Sequence, residues 1–332
     1  LVPKENIEVV FNHESMRMKS LDIADDAFLS EKGAILEERS MGTDNDPSGA
    51  MQELCLANIF NRGIGGTSVI GWKHEIESIQ KEDLYRFHDK WFSPNNAVIV
   101  ISGDFDLQNI KILAEKYFGE IPAKNNEIVP TECESVFCLK EIKYGSPKSG
   151  SFSSLEYTYK VPFSSKQNLR KAIALEVAVM AMNRPTFFVK KMMKDITNRA
   201  TNVSFGYLDR IFQYDIISVE FNSSSIDDLR EIEDMWRYLK NKVAEVGVSK
   251  TETDAVKRKY FLSLAYEKDD IVNMSNRFGW LLMCGYSTDE IQSIDSVIQS
   301  ITEKECNEIL SEIFSQDPCV VSRVVPREYD RE

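Results

Sequence analysis

Between Lys81 and Gly119 the sequence spells out a helix, a stop, a strand, a cap and a second helix, and this unit narrows the fold more than any other stretch. From Lys81 to Phe92, Leu84, Phe87 and Trp91 recur at helical spacing until Pro94-Asn95-Asn96 ends the run. The β-branched segment Ala97-Val98-Ile99-Val100-Ile101 then reads as a strand. Asp106 caps an amphipathic helix carrying Ile110, Leu113, Ala114 and Tyr117, which Gly119 closes. Helix, strand and helix in this order need a sheet with helices packed on it, so the expected class is α+β.

The second half repeats the theme. Leu155 to Val161 and Phe212 to Phe221 read as strands, Lys171 to Met182 and Ile226 to Val243 as helices, and Ser249-Lys250-Thr251-Glu252 as a capping box opening another helix. Ile216 to Leu239 follows the order of Val98 to Glu115, a slight sign of duplication because any α/β chain can share this order. From Pro122 to Gly150 the periodicity fades into a polar connector, and the division is placed at residue 130, giving 1–130 and 131–332. Upstream, a helix begins at Asp25 and Asp26, carries Phe28, Leu29, Ile35 and Leu36, and ends before Gly42. A polar turn at Asp44 to Pro47, an apolar-periodic stretch at Met51, Leu54, Cys55 and Ile59, and a glycine-rich surface loop at Gly63 to Gly66 follow.

Charge excludes one class of partner. With 40 Lys+Arg against 53 Asp+Glu the formal charge is −13, the wrong sign for a phosphate backbone, so no nucleic acid is expected. No apolar run is long enough to span a bilayer. The six cysteines form no CxxC pair and read as free thiols in packed positions. The chain begins at Leu1 without a charged-then-apolar leader, so any targeting signal would lie upstream.

The helix Glu31-Lys32-Gly33-Ala34-Ile35-Leu36-Glu37-Glu38 holds the most informative pair. At about 100° per residue, positions seven apart differ by roughly 20°, so Glu31 and Glu38 share one side of the helix, two turns apart. Glu37 points away from Phe28 and Ile35, whereas Glu38 lies at their edge and is expected to be half-buried. A carboxylate there needs a partner: a zinc ion, Arg39 or Arg17. A charged helix of this kind is ordinarily a solvated face, and the pattern alone leaves both readings open.

Several blocks together carry a resemblance. Glu14-Ser15-Met16-Arg17-Met18-Lys19-Ser20-Leu21, the helix from Glu31 to Met41, Thr43-Asp44-Asn45-Asp46-Pro47, Val69-Ile70-Gly71-Trp72, Pro94-Asn95-Asn96-Ala97 with Gly103-Asp104, and Lys116-Tyr117-Phe118-Gly119-Glu120-Ile121-Pro122 occur in the order and spacing of an N-terminal domain of the insulinase/pitrilysin zinc metallopeptidases. The chain is most similar to their bacterial and mitochondrial processing-peptidase-like branch. The resemblance is specific over about residues 7–123 and architectural over residues 151–326.

This resemblance implies an α+β chain of two similar α/β domains, each a mostly antiparallel sheet with helices packed on it, and a metalloendopeptidase that encloses peptides or unfolded segments between them and cleaves them with metal-activated water. Family members are inverzincins, holding zinc by two histidines of an H-x-x-E-H helix and by a glutamate on a later helix. That glutamate falls on Glu38, and the supporting carboxylate on Glu31. The histidines present, His13, His74 and His88, sit in no such motif; His13 reads as a helix-surface or packing residue, His74 as solvated and His88 as a hydrogen-bonded histidine at the core edge. The first domain is therefore expected to be incomplete, the motif to lie upstream, zinc to bind the full-length protein, and this fragment to hold no metal and be inactive. Active pairs also place an arginine and a tyrosine, seven apart, to bind the scissile carbonyl. Lys194 and Thr201 occupy those positions here, with Arg199 and Tyr207 off register, and Met182-Asn183-Arg184-Pro185 replaces the usual glycine-rich turn. A homologous partner subunit is expected to supply both groups. The alternative is a non-catalytic homologue acting as a structural or substrate-binding subunit. Bacterial relatives of this branch favour the cell envelope or periplasm.

Overall fold

In the computed structural model, which describes residues 1–60, 66–124, 140–146, 153–163, 168–196, 202–208, 215–223, 226–267 and 270–326, the helices include several, such as those after Asp46, Asp106 and Thr302, that start where a side chain satisfies a free amide of the first turn. In chain order they are α1 (Ile7–Lys19), α2 (Asp25–Arg39), α3 (Pro47–Ile59), α4 (Lys73–Ser78), α5 (Lys81–Trp91), α6 (Leu107–Phe118), α7 (Leu169–Met182), α8 (Phe188–Ile196), α9 (Ile226–Val246), α10 (Lys250–Glu267), α11 (Ile271–Met283), α12 (Thr288–Ser300) and α13 (Glu303–Phe314). The strands are β1 (Lys140–Ser146), β2 (Ser153–Lys160), β3 (Asn202–Leu208), β4 (Ile216–Ser223) and β5 (Val320–Pro326). Asp106 accepts from the amides of Gln108 and Asn109 at the start of α6, as its sequence position foretells. At α10 the Glu252 carboxylate accepts from the Ser249 amide and hydroxyl at 2.9 and 2.8 Å, the expected capping box.

Two compact units result, and they are not contiguous in sequence. One comprises Leu1–Glu38, Ile70–Pro130 and Ser263–Ile291; the other comprises Arg39–Val69, Thr131–Leu262 and Gln292–Glu332. The reason is packing. Met51, Cys55 and Ile59 form a buried stripe on α3 that finds its apolar counterpart in Ile216, Val320 and Val324 of the second unit's sheet. In the first unit Gly279 of α11 lies against Val100, where a methyl group would sit 3.7 Å from the valine.

The run Ala97–Ile101, expected as a strand, forms no ladder among the described residues. Its β-branched side chains favour an extended backbone, and Ala97 has φ −138° and ψ 154°, but a strand also needs a neighbour's amides. Val98 and Ile99 are 44% and 54% exposed, and with Phe11, Ile110 and Leu113 they line an open apolar groove of about 930 Å³ within the first unit. The amides of Val98 to Ser102 are accordingly expected to exchange with solvent far faster than those of α5 and α6. Slow exchange measured there by NMR would contradict an unpaired backbone.

The second unit is built on a five-stranded sheet of order β1-β5-β2-β4-β3, parallel between β1 and β5 and antiparallel elsewhere. Period-two alternation sends Leu155, Tyr157 and Tyr159 of β2, Val203 and Phe205 of β3, and Ile217, Val219 and Phe221 of β4 to one buried face. Helices α7, α9 and α13 cover that face. Trp236 of α9 sits at its centre, 1% exposed, with ring centroids 5.5 Å from Phe221 and 5.9 Å from Phe314. Its Nε1 donates to the Tyr159 hydroxyl at 3.2 Å.

An ion pair between α7 and α13 gives this unit an acid sensitivity. The Arg170 guanidinium, 2.7 Å from Glu305, together with the Thr302 cap holds the Glu305 carboxyl at about 2, against about 4.3 in an unfolded chain. The folded-state value is the lower one, so this contribution is complete above about pH 4.5 and is lost as pH falls towards 2. Over that window the natural chain is expected to lose stability more steeply than Glu305→Gln, as read by urea midpoints at stepped pH.

Candidate functional site

Helix α2 carries the two glutamates singled out by the sequence, and its placement within the first unit is fixed from α4 and α5. Lys81 of α5 reaches Asp25 at 2.6 Å, and Lys32 donates to the carbonyls of Glu77 and Ile79 at 2.6 and 3.0 Å. Phe28, Lys32, Ile35 and Leu36 form its half-buried stripe. Glu31 and Glu38 stand on the flank, on one side of the helix as their spacing demands, and both are exposed. The expectation that Glu38 is half-buried is thus corrected: like Glu37 it faces solvent, because its edge position lies beyond the stripe that actually packs. A solvated carboxylate needs no protein partner.

Arg39, one of the partners considered for Glu38, is engaged elsewhere. After α2 the chain enters a π-turn, Ser40–Asp44, closed by a bond from the Asn45 amide to the Ser40 carbonyl at 3.0 Å. Arg39 is 5% exposed and grips Glu53 of α3 with two bonds of 2.8 and 2.9 Å. Asp44 lies 3.2 Å from its Nε, and the Ser68 hydroxyl donates to Glu53 Oε1 at 2.9 Å. The guanidinium holds the Glu53 carboxyl below the usual carboxylate range despite burial, and Glu53 raises Arg39 in return. Sequence reasoning passed over Glu53. Its signal was the lone carboxylate of a largely apolar helix.

The histidines fall as expected and do not gather. His13 on α1 and His74 on α4 are exposed. His88 is buried, with Nε2 2.7 Å from the Arg17 carbonyl and its ring stacked on Phe92 at 4.6 Å. Among the described residues no three His, Cys, Asp or Glu side chains converge on a point that could hold a metal. Glu38 and these histidines therefore do not make a zinc site by themselves: one exposed carboxylate lacks the nitrogen donors zinc prefers.

In the second unit Arg199, Thr201 and the side chain of Lys194 lie outside the described residues. Tyr207 on β3 donates to Asp215 Oδ2 at 2.7 Å, and Asp215 is fully buried, so this tyrosine is tied into the sheet. Asn183 does the work of the missing glycine turn differently. Its amide donates to the Phe205 carbonyl at 2.6 Å while its Oδ1 accepts from the Phe205 amide at 3.0 Å, clamping the end of α7 to β3. Of the described cysteines, Cys55 and Cys306 are buried and Cys284 and Cys319 half-buried; burial pushes Cys55 and Cys306 up to about 12. Cys133 and Cys138 lie outside the described residues.

Residues 78–260, more than half of the chain, match the family described as the peptidase M16 inactive domain. The chain belongs to the peptidase M16 family, the insulinase/pitrilysin family of the sequence resemblance. This M16 chain is 28% identical over 114 residues to the zinc protease PqqE of Helicobacter pylori, a stretch covering 34% of the chain and 26% of that protein. It is 20% identical over 318 residues to the mitochondrial-processing peptidase subunit beta of Caenorhabditis elegans, covering 89% and 67% respectively. In fold it matches the crystal structure of a protease from Helicobacter pylori with a TM-score of 0.83 at 16% identity, covering 98% of this chain and 78% of the other. The alignments to the first curated relatives cover about a quarter of their length.

Proposed function

We propose that this M16 chain is part of a zinc-dependent endopeptidase acting on peptides or unfolded segments, in which Glu38 is one zinc ligand and Glu31 the carboxylate that supports it. The observation that carries the reading is their shared, solvent-open flank on α2, immediately before the Arg39 clamp. Zinc-protease relatives support it. The remaining ligands and the general base are not among these residues, so the 332-residue chain alone is inactive and metal-free. A homologous partner subunit supplies the arginine and tyrosine, a reading supported by the engagement of Tyr207 with Asp215 and by the likeness to a processing-peptidase subunit.

A second reading, a non-catalytic subunit that binds substrate or supports an assembly, draws on the dispersal of the three histidines. Zinc content and peptide cleavage, measured on the longest polypeptide the gene encodes and on its Glu38→Gln variant, separate the two. The peptidase reading expects stoichiometric zinc and hydrolysis in the natural protein and loss of both in the variant. Undiminished hydrolysis in the variant would remove Glu38 from the ligand set. No zinc and no hydrolysis in the natural protein, with or without a homologous subunit, would leave the second reading standing.

A further inference from the structure

A second acidic pair lies on the face of the sheet turned away from α7, α9 and α13. Strand register sets Ser322 of β5, Glu156 of β2, Glu220 of β4 and Ser204 of β3 in one row across four strands. Alternation with the buried Tyr157, Val219 and Phe205 puts all four on the face that α3 meets through Ile216, Val320 and Val324. Like charges directly opposed on neighbouring strands repel. Yet Glu156 and Glu220 form no ion pair with any described lysine or arginine.

Hydroxyl groups are the donors at hand: Ser218 and Ser322 lie beside the Glu156 carboxyl. Ser204 Oγ gives its proton to Glu220 at 3.3 Å. Ser322 is 1% exposed, and its Oγ, beside the Glu156 carboxyl and the Cys55 thiol, makes no hydrogen bond of good geometry. On the adjacent row the Asn222 Oδ1 is buried without a donor. Burial, and next the charge of Glu220, raise the Glu156 carboxyl above its ordinary range. Buried polar atoms are normally satisfied, and the orphaned Ser322 and Asn222 oxygens, beside two carboxylates that no described lysine or arginine pairs, leave a place for a cation.

We propose that the Ser322-Glu156-Glu220 row binds a calcium ion, with both carboxylates and the serine oxygen as ligands and water completing the shell. The donor set is all oxygen and holds two charges, which suits a hard ion with flexible coordination and excludes the sulfur and nitrogen preference of zinc. A row on sheet strands cannot close around an ion at short, fixed octahedral distances, so Mg²⁺ binds more weakly. Affinity should be that of a site with few charged ligands, a Kd on the order of 10⁻⁴–10⁻³ M.

Calorimetric titration of the chain with CaCl₂ at constant ionic strength is expected to show one site, at least tenfold weaker for MgCl₂ and for Glu220→Gln. At about ten times Kd, calcium should shift the folding equilibrium roughly tenfold, raising the thermal midpoint of the natural chain but not of the variant. Removing one of two opposed like charges relieves repulsion, so Glu220→Gln should fold. Should it not, Ser322→Ala, which removes one ligand oxygen and keeps both charges, should bind calcium severalfold more weakly by equilibrium dialysis. Absence of calcium binding at about 10 mM, or equal binding in Glu220→Gln, or in Ser322→Ala where that variant substitutes for it, overturns the proposal.

Discussion

Glu53→Ala is expected to destabilise the chain by about 3–5 kcal/mol, because it strands the Arg39 guanidinium in a buried position. Arg39 and Glu53 are 5% and 7% exposed, and the two parallel bonds between them are the main compensation for taking both charges out of water. Asp44, 3.2 Å from the Arg39 Nε, is itself partly solvated and is the weaker of the two carboxylate partners. The opposite result is expected for Arg39→Met combined with Glu53→Leu: apolar replacement of both partners removes the desolvation cost along with the attraction, and the double variant should fall within about 1 kcal/mol of the natural chain or above it. Urea unfolding followed by circular dichroism reads both. A loss below about 1 kcal/mol in Glu53→Ala would mean that water reaches the pair freely.

Trp236→Ala is expected to cost a similar 3–5 kcal/mol for a different reason, the cavity left beneath the second unit's sheet. The indole is packed between Tyr157, Phe205 and Phe221 of the strands and Phe314 of α13, so no single neighbour can relax into its space. Its Nε1 bond to Tyr159, which is 1% exposed, adds a polar penalty: truncation leaves that hydroxyl buried without its donor. Trp236→Phe keeps most of the ring and loses only the bond, and should cost about 1–3 kcal/mol. If the two variants prove equally stable by urea unfolding, packing around the indole is looser than these contacts require.

Local signals in the sequence carried over well. The Asp106 cap, the Ser249 and Glu252 box, and the helices at Lys81, Lys171 and Ile226 all stand where periodicity and capping chemistry put them. Each depends on interactions within one or two turns, which a linear chain already specifies. The β-branched run at Ala97–Ile101 shows the limit: the backbone is extended at Ala97, but pairing is a property of two segments and could not be read from one. The same holds for Glu53. Its identity was visible, whereas its partner, fourteen residues earlier on another helix, became apparent only once α2 and α3 were placed by their own packing.

At the candidate site the division runs through neighbouring residues. Helical spacing alone put Glu31 and Glu38 on one side of α2, because seven residues return almost to the same angle on any α-helix. Tertiary structure decided that this side is open to water, that Arg39 turns inward to Glu53, and that His88 is held by the Arg17 carbonyl. It also set Glu156 against Glu220, two residues 64 positions apart whose meeting rests on the register of β2 and β4. Angle around a helix is fixed by covalent geometry and local hydrogen bonds; burial and partnership depend on which surfaces meet, and that is settled only when distant apolar stripes such as those of α3 and β5 find each other.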